Sequence, residues 1–280
     1  VLTDRCSSPA AVVSSAIIWV RANTPCYDRV VLAVTSAGGS TDMVISPELF
    51  FSIIIPAHNE EKYIAATLEH AANLSYPTGS FEVIVVENGS SDRTFDVAKR
   101  FEGGNIRILK NEKAGVSAAK NFGIDRLSQH SDWVVFLDAD TLLKPNFLHD
   151  LNAQLLRASH KPLSVGTTKV LPLGGGRNAR IWFAVYNVLH RLGGSYAIQI
   201  ARRSLFPALR FDEHLIMGED VLLIKQARKL GKFFYVPTGT VYTSTRRFDT
   251  TGYWRLYFQW ASFEILPRQL QKRRRYKVVR

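Results

Sequence analysis

The chain has 280 residues, 46% of them hydrophobic and 21% charged, with only two cysteines. That composition excludes chain-wide disorder, collagen-like repeats and a disulfide scaffold, and the length allows one large domain or two modest ones. A formal net charge of +12 points to an anionic partner: a nucleotide, a nucleic acid or a membrane surface.

Residues 1–48 differ in texture from the rest. Cys6 and Cys26 both lie here, and so sparse a pair suggests a reducing compartment or at most one bridge. The apolar run Ala10–Val20 sits between Arg5 and Arg21; as a secretory signal it has poor flanks and no small-residue cleavage site. No apolar run in the chain reaches the roughly 18 residues of a membrane-spanning helix. Met43 stands a few residues ahead of the first strong strand. Residues 1–48 are therefore expected to be an N-terminal extension of uncertain role. Either Met43 is a native start and 1–42 are dispensable, or a strand and helix here pack on the domain.

From Phe51 onward, strands and helices alternate. Phe51–Ile55 is a continuous apolar run, and Glu61–Leu74 carries helical spacing through Ile64, Leu68, Ala71 and Leu74. Phe81–Val86 predicts a second strand, Thr94–Phe101 a helix, Ile106–Leu109 a short strand, Val116–Leu127 a helix and Trp133–Leu137 a fourth strand. This alternation means βαβ units, hence an α/β fold with a parallel sheet and helices on both faces.

Ligands of such sheets bind beyond the carboxyl ends of the strands. The residues delivered there are Pro56, Ala57, His58, Asn59 and Glu60 after the first strand, Glu87 to Asp92 after the second, and Asp138, Ala139 and Asp140 after the fourth. A fold does not need carboxylates at that edge, so they speak for a site. The glycine fingerprints of dinucleotide-binding and P-loop proteins are absent, so a nucleotide here would need its charge offset by a divalent cation. Asp138 and Asp140, two apart in an extended segment, can face the same side and offer the hard oxygen that magnesium or manganese takes.

Together these segments resemble the family 2 inverting glycosyltransferases of the GT-A fold. The resemblance rests on Ser52–Glu60 (SIIIPAHNE), Val83–Thr94 (VIVVENGSSDRT), Gly115–Gly123 (GVSAAKNFG), Val134–Asp140 (VVFLDAD) and Phe211–Asp220 (FDEHLIMGED), in the family's order over residues 50–250. It implies a Rossmann-like, mostly parallel sheet with residues 49–140 as the nucleotide-sugar half and 141–250 as the acceptor half. It implies transfer of a sugar, with inversion, from a nucleotide-diphosphate donor (a UDP-sugar first) to an acceptor hydroxyl. Pro56, Ala57, His58 and Glu60 would meet the base and ribose. Glu87 stands where the family usually has an aspartate, and Lys120 where arginine is common, keeping the charge without its bidentate geometry. Asp138 and Ala139 would lie on the ribose side, with Asp138 and Asp140 holding Mn2+ or Mg2+.

The block ending in Glu219 and Asp220 resembles the segment that supplies the base. Displacement at an anomeric carbon needs an acceptor hydroxyl that loses its proton, which one carboxylate can take, and a leaving diphosphate whose charge a metal offsets. Asp220 is assigned as base and Glu219 as the residue orienting the acceptor. The alternative role for the pair is the first turn of a helix over Val221–Leu230, where acids favour the dipole. A short strand, Phe233–Val236, and its loop precede Thr243–Arg247, whose Arg246 and Arg247 have the chemistry to grip phosphate.

Trp182, Phe183 and Tyr186 form an aromatic cluster flanked by Gly174–Gly176 and Gly193–Gly194, which suggest mobile loops; such rings stack on sugars, line a lipid path or fill a core. Residues 251–280 combine an aromatic stretch from Tyr253 to Leu266 with a cationic tail, Arg268 to Arg280, that contains no acid. That is the chemistry of peripheral binding to an anionic membrane surface, alternatively of a core-docked helix with a solvated tail. The expected setting is cytoplasmic, on or near the inner face of a membrane in envelope or polysaccharide synthesis, with an unknown sugar or a lipid-linked acceptor. No nucleic-acid-binding motif accompanies the charge, so nucleic acid is not an expected partner. A catalytically silent relative is the alternative reading, motivated by Glu87 and Lys120.

Overall fold

The computed structural model describes residues 48–194, 197–206, 208–215, 217–256 and 258, together with the backbone of three strands nearer the N-terminus. Chain contacts divide it between Glu48 and Leu49. In the first unit, β1 (Trp19–Arg21), β2 (Val30–Thr35) and β3 (Thr41–Ile45) form an antiparallel sheet. Met43 lies inside β3, opposite Ala33. Cys6, Cys26 and the run from Ala10 to Ile18 lie outside the described residues, as does everything after Phe258.

The second unit starts with β4 (Phe51–Ala57), α1 (Ile64–Ala72), β5 (Phe81–Glu87), α2 (Thr94–Lys99), β6 (Ile106–Lys110), α3 (Val116–Ile124) and β7 (Trp133–Leu137). β4 pairs in parallel with both β5 and β7, and β5 with β6. Because successive side chains of a strand point to opposite faces, the isoleucines of β4 divide. Ile53 and Ile55 join Val83, Val85, Val135 and Leu137 in one core. Ile54 joins Ile84, Val134 and Phe136 in the other. A strand buried on both sides needs a continuous apolar run, and burial of each such side chain stabilises the fold by about 1.5–3 kcal/mol.

α1 buries Ile64, Thr67, Leu68 and Ala71, one face of a helix. α3 packs closer, through Ala118, Ala119 and Gly123. A Cβ at Gly123 would meet Ile54 at 2.8 Å, so this helix can approach the sheet only with glycine there. That proximity carries Lys120 to the edge where the strands end.

The remaining elements are β8 (Thr141–Leu143), α4 (Phe147–Arg157), β9 (Leu163–Leu173), α5 (Gly176–Leu192), β10 (Ile198–Arg202), α6 (Glu219–Ala227), β11 (Lys232–Ser244) and α7 (Arg246–Thr251). They extend the sheet to eight strands in the order β6-β5-β4-β7-β10-β9-β11-β8. Here the sheet is mixed: β10 runs antiparallel to β7 and β9, β11 parallel to β9, and β8 antiparallel to β11. Two expectations change. The strand expected over Phe233–Val236 continues to Ser244, with a register shift between Val236 and Val241, so the stretch expected as a loop before Thr243 belongs to the strand. The glycines around α5 cap it: Gly175 and Gly193 have φ of 70° and 112°, the left-handed turns that open and close the helix. Trp182 and Phe183 are buried against Phe248, so this aromatic cluster is core rather than a sugar platform. Among the described residues, no helix is long and apolar enough to cross a membrane.

Candidate active site

The carboxyl ends of β4, β5 and β7 lie side by side. Ala57 pairs with Glu87 in register, and the Asn88 N–H donates to the Ala57 carbonyl at 3.1 Å. The two loops that follow are sewn together. His58 Nδ1 donates to the Asn88 carbonyl at 2.9 Å, and the Ser91 N–H to Asn59 Oδ1 at 2.8 Å. Asn59 holds a left-handed φ of 55°, which asparagine tolerates better than most residues. Asp92 gathers the N–H groups of Glu61 and Thr94. Glu87 accepts the Ser90 N–H at 2.5 Å. His58 and Glu87 therefore both have structural partners that set the loop's shape.

After β7, the chain is pinned from two sides. The Asp138 N–H donates to the Ala197 carbonyl at 2.9 Å, and Thr67 Oγ1 donates to the Ala139 carbonyl at 2.7 Å. Ala197 itself has φ of 62°, an uncommon conformation for a residue with a Cβ. Asp138 and Asp140 both have raised pKa values. Burial is the main cause for each; Asp140 adds to it at Asp138 while Lys120 opposes it, and at Asp140 the Arg246 guanidinium opposes it.

Arg246, in the first turn of α7, crosses to the β4 loop. Its Nη2 lies 2.6 and 2.7 Å from the two Glu60 oxygens, its Nε 3.1 Å from Asp140 Oδ2, and its guanidinium 4.2 Å above the Tyr63 ring. Burial raises the pKa of Glu60, with the Arg246 hydrogen bond opposing it. The pairing of Glu60 with Arg246 joins two residues that the sequence places in different parts of the donor site.

The third group comes from α3 and α6. Gly218, with φ of 80°, caps α6, so Glu219 and Asp220 begin its first turn. Lys120 Nζ is 3.1 Å from Glu219 Oε1 and 2.5 Å from Asp220 Oδ1, and 4.8 Å above the Phe211 ring. Burial alone would lower the pKa of Lys120, but Asp220, Glu219 and Asp138 outweigh it and the shift is upward. Burial and the Glu219 charge raise the pKa of Asp220, against the Lys120 ammonium. Gln199 Nε2 holds the Asp220 backbone carbonyl at 3.2 Å. Lys120, Asp138, Gln199 and Asp220 line one narrow cleft.

The structure thus brings Asp138, Lys120, Glu219 and Asp220 together, and Glu60, Asp140 and Arg246 beside them. Pro56 and Ala57 are the last residues of β4, with Ala57 buried. Arg247 acts on Asp138 and Asp140 electrostatically. The residues that sequence reasoning missed are Gln199, Ala197 and Tyr63. The Ala197 turn had no signal, since alanine does not advertise a left-handed backbone; Tyr63 lies three residues past Glu60 and has no motif of its own.

Among the described residues, no group of three or more His, Cys, Asp or Glu side chains is gathered as a ready metal cage. The donor set at Asp138 and Asp140 is carboxylate oxygen, which suits a hard cation that keeps other positions for phosphate and water. Both carboxylates are half-buried beside further acids, so added positive charge is favourable there. These residues fit a divalent cation.

The family model for Glycosyl transferase family 2 matches residues 52–182. The chain is 30% identical over 212 residues to the minor teichoic acid biosynthesis protein GgaA of Bacillus subtilis, covering 66% of this chain and 46% of that protein. It is also 30% identical over 212 residues to a dolichyl N-acetyl-alpha-D-glucosaminyl phosphate 3-beta-D-2,3-diacetamido-2,3-dideoxy-beta-D-glucuronosyltransferase of Methanococcus voltae, covering 65% of this chain and 63% of that enzyme. The chain thus spans between about half and two thirds of these relatives. Among solved structures, the S. aureus TarS 1-349 complex with UDP-GlcNAc matches at a TM-score of 0.58 and 23% identity, over 71% of this chain and 59% of that one. A mannosyltransferase from Pyrobaculum calidifontis, in complex with GDP-Man and Mn2+, matches at 0.55 and 18% identity over 81% and 59%. At these identities the structural likeness speaks for the fold.

Proposed function

The chain belongs to glycosyl transferase family 2, and from that premise we propose that it transfers a sugar from a nucleotide-diphosphate donor to an acceptor hydroxyl, with inversion. Residues 49–250 are the transferase unit, 49–140 its donor half and 141–250 its acceptor half, with 1–48 an extension and 251–280 an aromatic and basic C-terminal segment whose start packs on the core through Tyr253 and Leu256. The observation that carries this reading is the cleft where Asp220 and Asp138 meet across Lys120.

Asp220 is the general base. Its carboxylate takes the proton of the acceptor hydroxyl as that oxygen forms its bond to the anomeric carbon, while the bond from that carbon to the diphosphate oxygen breaks on the opposite face. The nucleoside diphosphate leaves with the electron pair. A raised pKa suits this role, because a base is most effective when its pKa approaches the working pH. Glu219 and Lys120 orient the acceptor side and hold Asp220 in place. Asp138 and Asp140 would hold a divalent cation, Mn2+ or Mg2+, which when bound would supply Lewis-acid neutralisation of the leaving diphosphate. Arg246 and Arg247 stand where they can add to it; Arg246 must exchange part of its Glu60 contact to do so. Pro56, Ala57, His58, Glu60 and Glu87 shape the nucleotide pocket, with Ala139 beside them.

The donor reading draws on relatives: the TarS structure holds UDP-GlcNAc, and GgaA is named for teichoic acid synthesis. A UDP-sugar and an envelope-polymer or lipid-linked acceptor are the corresponding substrates here, used on the cytoplasmic side of a membrane that the segment 253–280 contacts. The test is release of free nucleoside diphosphate from a panel of UDP- and GDP-sugars with Mn2+. Release from one donor that Asp220→Asn abolishes supports the reading; release unaffected by that substitution overturns the base assignment.

A further inference from the structure

α5 is 17 residues long, about 25 Å at 1.5 Å per residue. It packs on the core through Ala179, Trp182, Phe183, Asn187 and His190. A helix so docked normally turns a polar face outward. This one does not: Ile181, Val185, Val188 and Leu192, at helical spacings of four, three and four, are 57%, 56%, 56% and 71% exposed. The rest of its charge is of one sign. Arg177, Arg180 and Arg191 are exposed along the same helix, and α5 contains no acid.

A second apolar feature adjoins it. The Trp254 ring stands edge-on to Trp182 with centroids 5.2 Å apart, which places it beside α5. Trp254 and Phe258 are both 65% exposed, four residues apart, with Arg255 exposed between them. Aliphatic side chains in a row, an indole beside them with a phenyl ring four residues on, and arginines with no acid paired to them among the described residues are the combination that an interfacial helix presents to lipid.

We propose that the outward face of α5, continued by Trp254 and Phe258, docks on an anionic lipid bilayer. Charge decides among the occupants. A second copy across a two-fold axis would bring the arginines of one α5 toward those of the other. The segment 268–280 is cationic and would be repelled. A soluble polyanion would satisfy the arginines and leave the aliphatic stripe in water. An anionic bilayer uses both. The inference does not depend on which donor the site takes; it sets the site's surroundings by holding the acceptor half against the membrane.

The experiment is flotation of the full chain with phosphatidylcholine vesicles, with and without phosphatidylglycerol. Wild type floats with the anionic vesicles. Val185→Glu/Val188→Glu lowers that partition by about tenfold or more, with an unchanged melting temperature because both positions are exposed. As a readout independent of those substitutions, brominated lipid quenches tryptophan fluorescence in wild type and less so in Trp254→Phe. Failure of wild type to bind, binding unchanged by the double substitution, or binding lost only when 268–280 are deleted would overturn the proposal. So would sedimentation of wild type as a dimer that the double substitution dissociates, which would assign the face to a second copy.

Discussion

Lys120 Nζ lies 2.5 Å from Asp220 Oδ1, joining helices whose contact residues are 100 positions apart in sequence. The same ammonium reaches Glu219 at 3.1 Å, and Asp138 acts on it electrostatically. Three carboxylates share one buried cation. Burial first, with Asp140 adding to it at Asp138 and Glu219 at Asp220, makes both aspartates harder to ionise than ordinary ones. If Asp220 is the base, as proposed, Lys120 is a positioning residue that holds it and favours its ionised form.

Removing the cation should therefore change the pH profile as well as the rate. The base works deprotonated, and the Lys120 ammonium lowers the pKa of Asp220 against burial. Lys120→Met thus raises that pKa, and the ascending limb of kcat moves to higher pH. Breaking a buried pair on one side costs about 3 kcal/mol of stability. Lys120→Arg, which keeps the charge, should restore much of the limb's position. A kcat profile of unchanged shape in Lys120→Met would show that Lys120 is merely structural.

Asp220→Asn keeps the size of the side chain and loses its basicity. The expected result is a fall in kcat of about 10²–10⁴-fold, with nucleotide affinity unchanged. Single-turnover kinetics with saturating donor, alongside calorimetric titration of the nucleotide, separates the two quantities.

Arg246 spans Glu60 and Asp140, from the β4 loop to the strand end of β7. Arg246→Met leaves both half-buried carboxylates without their guanidinium and should cost about 1–3 kcal/mol, read as a shift in the urea midpoint. Arg246→Lys recovers only part of it, because an ammonium lacks the planar fork that reaches both acids. Equal stability of all three proteins would contradict the pairing.

Gly166 tests the mixed half of the sheet. A Cβ there would meet the Phe234 carbonyl oxygen at 2.5 Å, across the β9–β11 pair. Backbone cannot step aside, so Gly166→Ala should destabilise the protein by about 1–3 kcal/mol, measured by thermal melting.

The stretch from β4 to β7 is legible in the sequence because burial and periodicity agree there. Phe51–Ile55 and Trp133–Leu137 are buried on both faces, and a strand of that kind can only read as a continuous apolar run. The acidic strand ends followed from the topology, and Glu219 and Asp220 from their block. What the sequence hid was pairing over distance. Nothing local ties Arg246 to Glu60 or Lys120 to Asp220, because each ion pair is set by where two elements land on the sheet. β11 was read short because Pro237 and Gly239 interrupt its apolar pattern, while its pairing with β9 resumes beyond them at Val241. The mixed strand order came from tertiary pairing that period alone does not encode.

The most direct test is thermal melting with UDP and with GDP, each with and without Mn2+, on wild type, Asp140→Ala and Asp220→Asn. A metal-assisted donor site requires a metal-dependent rise in melting temperature with one nucleotide in wild type and in Asp220→Asn, and its loss in Asp140→Ala. A nucleotide response that needs no metal, or one that survives in Asp140→Ala, would contradict the metal-assisted donor site. A flat response in every protein would mean that the cleft of Asp138, Lys120 and Asp220 does not bind a nucleotide donor.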